Sequence, residues 1–193
     1  MTKKTIITSA VAAVVVLWGV VSYNSLISAE ENVESKWSNV QNVYQRRADL
    51  IPNLVATVKG YAEHEKSTLE EITDARAKAT QMRVNVDDLT PEKLHEFQRT
   101  QGELSTALGR LIAIAENYPD LKANQNFLEL QAQLEGTENR INVERKNFNE
   151  AVQAYNTKIR RFPTAILADL LNFGKKPYFE AEAGSEVAPK VQF

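Results

Sequence analysis

Apolar residues along this chain fall into two patterns that meet near residue 30. From Thr5 to Ala29 no residue carries a charge, and Ile6 to Val21 is almost continuously apolar. With its uncharged flank to Leu26, that stretch is long enough to cross a bilayer core of about 30 Å as a helix. Beyond Glu30 the apolar residues return at steps of three and four, the spacing of a helix that buries one face.

The second pattern divides into segments. Val33, Trp37, Val40, Tyr44, Ala48, Ile51, Val55, Val58, Ala62, Leu69 and Ile72 predict one helix from Glu30 to Met82, continuous with the apolar run before it. Pro52 removes the amide donor to residue 48 and predicts a kink there. Val84 to Leu89 reads as a polar connection. Thr90 then caps a second helix with Pro91 in its first position. Its seam is Leu94, Phe97, Leu104, Leu108, Leu111 and Ala115, interrupted by one polar residue, Gln101. A third helix is expected from Pro119 to just before Pro163. A short apolar one follows over residues 164–172, closed by Gly174. The expected fold is all-α. An N-terminal transmembrane helix leads into an elongated antiparallel bundle of three long helices plus a short fourth. The expected divisions are an anchor over residues 1–29 (span about 6–26), a bundle over 30–173, and a loosely held tail over 174–193 in which Tyr178 and Phe179 could dock.

Two lysines before an apolar run also describe a cleavable secretory signal. The best cleavage site, Leu26-Ile27-Ser28-Ala29, sets a large residue where a small one is needed, so a retained anchor is the expectation. Lys3 and Lys4 precede the span and Glu30, Glu31 and Glu34 follow it. That balance leans towards N-terminus inside and bundle on the non-cytoplasmic side, with Arg46-Arg47 pulling the other way.

Composition narrows the function classes. Cysteine is absent, which removes disulfides, thiolate nucleophiles and Cys-bound zinc. The net charge is −2, and without Lys3 and Lys4 the remainder carries 21 basic against 25 acidic residues. Such a domain is a poor partner for nucleic acid. No glycine-rich phosphate loop or Gly-x-Ser-x-Gly occurs. His64 and His95 lack metal-spaced neighbours, so no catalytic, metal or cofactor residue is assigned.

Three groups stand out. Arg46, Arg47 and Asp49 surround the kink, and Glu138, Arg140 and Arg145 lie on the third helix, with Arg145 on its apolar seam. Ion pairs are expected between the two sets, Arg47 with Glu138 and Asp49 with an arginine of the third helix. They read either as a register-setting network or as a ligand or partner site. Tyr23 and Asn24, at the far boundary of the span, read as interfacial residues. With Ser9, Ala10 and Ala13 deeper in the span, they read alternatively as a helix-association face. In the short helix, Ile166, Leu170 and Phe173 carry more apolar surface than a free segment holds. They would close the bundle end or contact a subunit or membrane surface.

Several blocks resemble a known family: Tyr23-Asn24-Ser25-Leu26, Trp37-Ser38-Asn39-Val40 and Tyr44 through Val55, then Tyr118 through Ala123, Asn126-Phe127, Leu134 through Ile141 and Arg161-Phe162-Pro163. Together they resemble the LemA family over nearly the whole chain, thinning at Val84–Leu89 and ending before the tail. The resemblance implies a bacterial single-pass protein of the inner membrane with a helical-bundle domain. It implies a link to envelope stress and membrane organisation, and brings no reaction, cofactor or catalytic residue with it. The expected function is a non-enzymatic, membrane-anchored scaffold that self-associates as a homo-oligomer and organises membrane proteins. The alternative is an adaptor that regulates one membrane enzyme such as a protease.

Overall fold

Helix α1 runs unbroken from Lys3 to Lys59 in the computed structural model, which describes residues 3–62, 65–82 and 84–180. Its first part stands clear of the rest of the molecule. Ile6, Ile7, Val11, Val14, Val15, Val16, Leu17, Val20 and Val21 are all exposed, and this stretch is apolar and long enough to cross a membrane. Packing begins at Ser22 and Leu26, both buried. The bundle therefore reaches below the residue-29 boundary expected from composition.

The helix expected from Glu30 to Met82 is two helices. Tyr61 and Ala62 donate their amides to the Val58 carbonyl, the chain reverses, and α2 (Lys66–Gln81) runs back along α1. Then come a 3-10 turn at Val86–Asp88, α3 (Pro91–Ala115), a one-turn α4 (Pro119–Lys122), α5 (Gln125–Arg160) and α6 (Thr164–Leu170). No strand occurs among the described residues. The all-α antiparallel bundle is as expected, with four long helices rather than three.

Local chemistry explains most of the boundaries. The Thr90 hydroxyl accepts the Lys93 amide at 3.2 Å and Pro91 opens α3, as the sequence predicts. The helix expected to start at Pro119 begins later as α5, because Asn124 caps it by accepting the Phe127 amide at 3.0 Å. Helix α6 closes on Asn172, at φ 58°, rather than on Gly174. The Phe173 amide bonds to the Ala168 carbonyl and the Asn172 amide to that of Asp169. This is the paired closure that a left-handed residue after a helix makes possible.

Two apolar clusters fill the bundle. The one nearer the span holds Leu26, Val33, Trp37, Val40, Tyr44, Phe97, Phe148 and Tyr155. The far one holds Ile51, Leu54, Leu104, Leu111, Phe127 and Leu134. The segment expected to be a polar connection contributes Val84, Val86 and Leu89 to the first cluster. The Val84 carbonyl accepts the Trp37 indole N–H at 2.7 Å and the Gln41 amide at 3.0 Å.

Residues 174–180 are pinned to the bundle rather than loose. Asn149 and Asn156, one above the other on α5, each make two bonds to the strap's backbone. Asn149 accepts from the Phe179 amide and donates to its carbonyl. Asn156 accepts from the Lys176 amide and donates to the Lys176 carbonyl. Phe179 then packs its ring against both Trp37 and Phe148, with centroids at 5.9 and 5.4 Å. Residues 181–193 lie outside the described residues.

Candidate functional site

Between the two apolar clusters lies a polar layer centred on Arg47. A strict alternation of four and three along α1 gives Val33, Trp37, Val40, Tyr44, Arg47, Ile51, Leu54 and Val58, so Arg47 takes a seam position. It is 1% exposed. Its Nη1 donates to Ser105 Oγ at 2.7 Å and to Glu138 Oε2 at 3.0 Å. Its Nη2 donates to the Gln101 side-chain oxygen at 2.7 Å and to the Gln101 carbonyl at 3.1 Å. The guanidinium also lies 5.0 Å from the Tyr44 ring centroid. Four of its five N–H groups are bonded in this way; buried Nε has no partner.

Gln101, the polar interruption on the α3 seam, is thus the counterpart of Arg47. It also donates to the Ala79 carbonyl at 3.3 Å, which draws α2 into the same layer. Two seam positions breaking the apolar pattern on different helices were the signal for this pairing.

The other candidates are placed differently. Asp49 does not reach α5; it accepts from Gln45 one turn earlier, at 2.7 Å. Arg140 is exposed. Arg145 bonds to the Glu180 carbonyl at 3.1 Å and covers the Phe179 ring at 4.9 Å, so it holds the strap rather than the polar layer. Arg47, Ser105, Glu138, His95, Arg99 and Arg145 line an open cleft of about 470 Å³ at this level. No group of three or more His, Asp or Glu among the described residues could hold a metal, and His64 lies outside those residues.

A second polar device was not visible in the sequence. Arg76 of α2 donates its Nε to the Ala48 carbonyl at 2.8 Å, the acceptor that Pro52 deprives of its helical amide.

At the bundle end next to the apolar stretch of α1, Asn24 is exposed, and its carbonyl accepts the Ser28 hydroxyl. Tyr23 and Phe173 meet edge to face at 6.3 Å. Phe173 therefore packs inward, while Ile166 and Leu170 remain exposed. Lys158 donates to the Ser25 carbonyl and hydroxyl, both at 3.0 Å, tying the end of α5 to α1. Lys176 pairs with Glu30 at 3.1 Å. The Tyr155 hydroxyl donates to the Gly174 carbonyl at 3.0 Å. Burial and the nearby Glu30 carboxylate push its pKa up to about 12.

The family profile described as the LemA family matches residues 36–193, so the match includes the tail, which the sequence blocks quoted above do not reach. Magnetosome protein MamQ 2 of Paramagnetospirillum magneticum is 26% identical over 85% of this chain and 66% of its own length. Magnetosome protein MamQ of Magnetospirillum gryphiswaldense is 28% identical over 88% and 70%. Protein LemA of Metamycoplasma hominis is 27% identical over 82% and 68%. The chain spans about two thirds of the length of these relatives. With a profile match over residues 36–193, the chain belongs to the LemA family.

Proposed function

We propose that this chain is a non-enzymatic scaffold of the bacterial inner membrane. It is anchored by the first part of α1, self-associates, and organises membrane or envelope proteins. The observation that carries the reading is the continuity of α1, which passes from an exposed apolar stretch into the bundle core without a break. A rigid body joined so directly to its anchor suits holding partners at a fixed height above a bilayer. The buried charge supports it too, because the Arg47 guanidinium is occupied by three neighbouring side chains, as in a layer that sets helix register. Relatives named as magnetosome proteins are compatible with a role in organising a cell structure.

The deciding measurement is the mass of the full chain extracted from its own membranes in mild detergent, with co-extracted proteins identified. A large particle holding only this chain supports the scaffold. A small particle with one stoichiometric companion overturns it in favour of an adaptor, for which the Arg47 cleft is the surface to map first. Lys3 and Lys4 before the span support a bundle on the non-cytoplasmic side, against the pull of Arg46-Arg47. Protease added to intact spheroplasts, whose outer membrane has been opened, tests this, and a bundle resistant there and cleaved only after lysis reverses it.

A further inference from the structure

The end of the bundle nearest the span carries an apolar edge with no protein cover. Phe162 is 83% exposed, Ile166 63% and Leu170 74%. The antiparallel register of α1 and α5 fixes how deep this edge lies. Arg47 meets Glu138 and Lys158 meets Ser25, so each step along α5 brings the chain about one residue nearer the start of α1. Phe162 therefore falls level with Val21 to Tyr23. Phe173, just past the end of α6, is at the same level, against Tyr23. A bilayer core of about 30 Å takes roughly 20 helical residues. Counted from Thr5, the first residue beyond the charges of Lys3 and Lys4, the core ends near Asn24. The apolar edge is thus level with the boundary between acyl chains and headgroups, beside the helix that crosses it.

Charge agrees with that depth. Arg160, Arg161 and Lys175 flank the edge, are exposed, and make no ion pair among the described residues. Exposed cations beside apolar side chains are the composition of a surface that sits in an anionic bilayer interface. The acidic residue of α6, Asp169, is exposed beside this edge, at headgroup level, where a carboxylate keeps its water.

We infer that Phe162 and α6 form a membrane foot. Phe162, Ile166 and Leu170 insert into the headgroup–acyl boundary of the bilayer that α1 crosses, and Arg160, Arg161 and Lys175 lie against lipid phosphates. The foot is a second attachment that fixes the rotation of the bundle about its anchor. It rests on the reading that α1 spans a bilayer, and its test separates the two.

The chain has no cysteine, so single labels are unambiguous. Full-length protein carrying Leu170→Cys, or Ile166→Cys as a second position, is labelled with a polarity-sensitive fluorophore. It is reconstituted in phosphatidylcholine–phosphatidylglycerol vesicles with nitroxide-bearing lipid. Val14→Cys reports the span and Glu135→Cys the far bundle. The expected result is a blue-shifted emission at 170 and 166 that shallow nitroxide lipid quenches, deep quenching at 14, and neither effect at 135. Unshifted, unquenched emission at 170 and 166 overturns the foot. A blue shift without lipid quenching also overturns it, because protein from a second copy then covers the edge. Loss of quenching at 14 overturns the spanning reading, and the foot with it.

Discussion

Arg76 Nε donates to the carbonyl oxygen of Ala48, 28 residues earlier in the chain, at 2.8 Å. Pro52 leaves that carbonyl without its helical donor, and a side chain from the antiparallel neighbour replaces it. The pairing makes Pro52 tolerable inside a 57-residue helix. Arg76→Met should cost about 1–2 kcal/mol, the worth of a charge-assisted hydrogen bond at a half-buried site. In a domain of this size that lowers the melting temperature by about 3–8 °C. In a Pro52→Ala background, where an amide returns, the same substitution should cost measurably less. A four-member melting cycle in detergent reads the difference, and equal costs in the two backgrounds would refute the compensation.

The polar layer gives a graded series. Arg47→Ala removes a buried cation, opens a cavity and strands Gln101, so about 3 kcal/mol or more is expected. Glu138→Gln should cost only about 1 kcal/mol, since the Glu138 side chain is 49% exposed and water screens the pair. Chemical denaturation of the two variants gives the order, and a Glu138→Gln loss as large as that of Arg47→Ala would contradict it.

Phe179 anchors the strap through Trp37 and Phe148. Phe179→Ala should destabilise the near cluster by about 3 kcal/mol. It should also red-shift the emission of Trp37, best read in a Trp18→Phe background. Asn149→Ala, which loses both backbone bonds to residue 179, should give the same spectral shift with a smaller loss of stability. Unchanged emission in both variants would mean that the strap does not dock in solution.

Tyr155 predicts alkaline behaviour with a definite sign. Its pKa rises from an ordinary 10.0 to about 12 in the folded chain, so the native state holds this proton more tightly than the unfolded state. The associated stability is complete below pH 10 and is lost as pH climbs towards 12. Phenolate absorbance should show a late ionisation step near pH 12, distinct from that of Tyr118, whose pKa is also raised, chiefly by its hydrogen bond to Glu65. Tyr155→Phe should delete that late step.

The sequence made the span, the α3 cap and the antiparallel bundle legible because each is written in local pattern. The break after Lys59 was not, because Ala62, Leu69 and Ile72 stay in helical phase across it, so periodicity alone could not separate one helix from two. Arg47 stands out in the sequence as a charge near Pro52, but the apolar residues Ala48 and Val55 draw the expected seam away from the buried line that includes it. Gln101 was visible as an exception; that the two exceptions meet depends on the register between helices. Arg76 and the α5 asparagines that hold the strap, Asn149 and Asn156, act through space on backbone groups, and nothing in their own neighbourhoods marks them. Asn172 closes α6 because a left-handed residue is needed two positions before Gly174, and asparagine tolerates that conformation.

The unbroken course of α1 has a mechanical consequence. With the proposed span ending near Asn24, some 35 of its residues lie beyond the bilayer boundary, a length of about 50 Å at 1.5 Å per residue. Span and bundle then tilt as one lever. A spanning helix adjusts to bilayer thickness by tilting, typically by about 20°, and over this length that swings the α1–α2 turn sideways by about 17 Å. On the proposed spanning of α1, the thickness of the membrane would set the position of the bundle's far end.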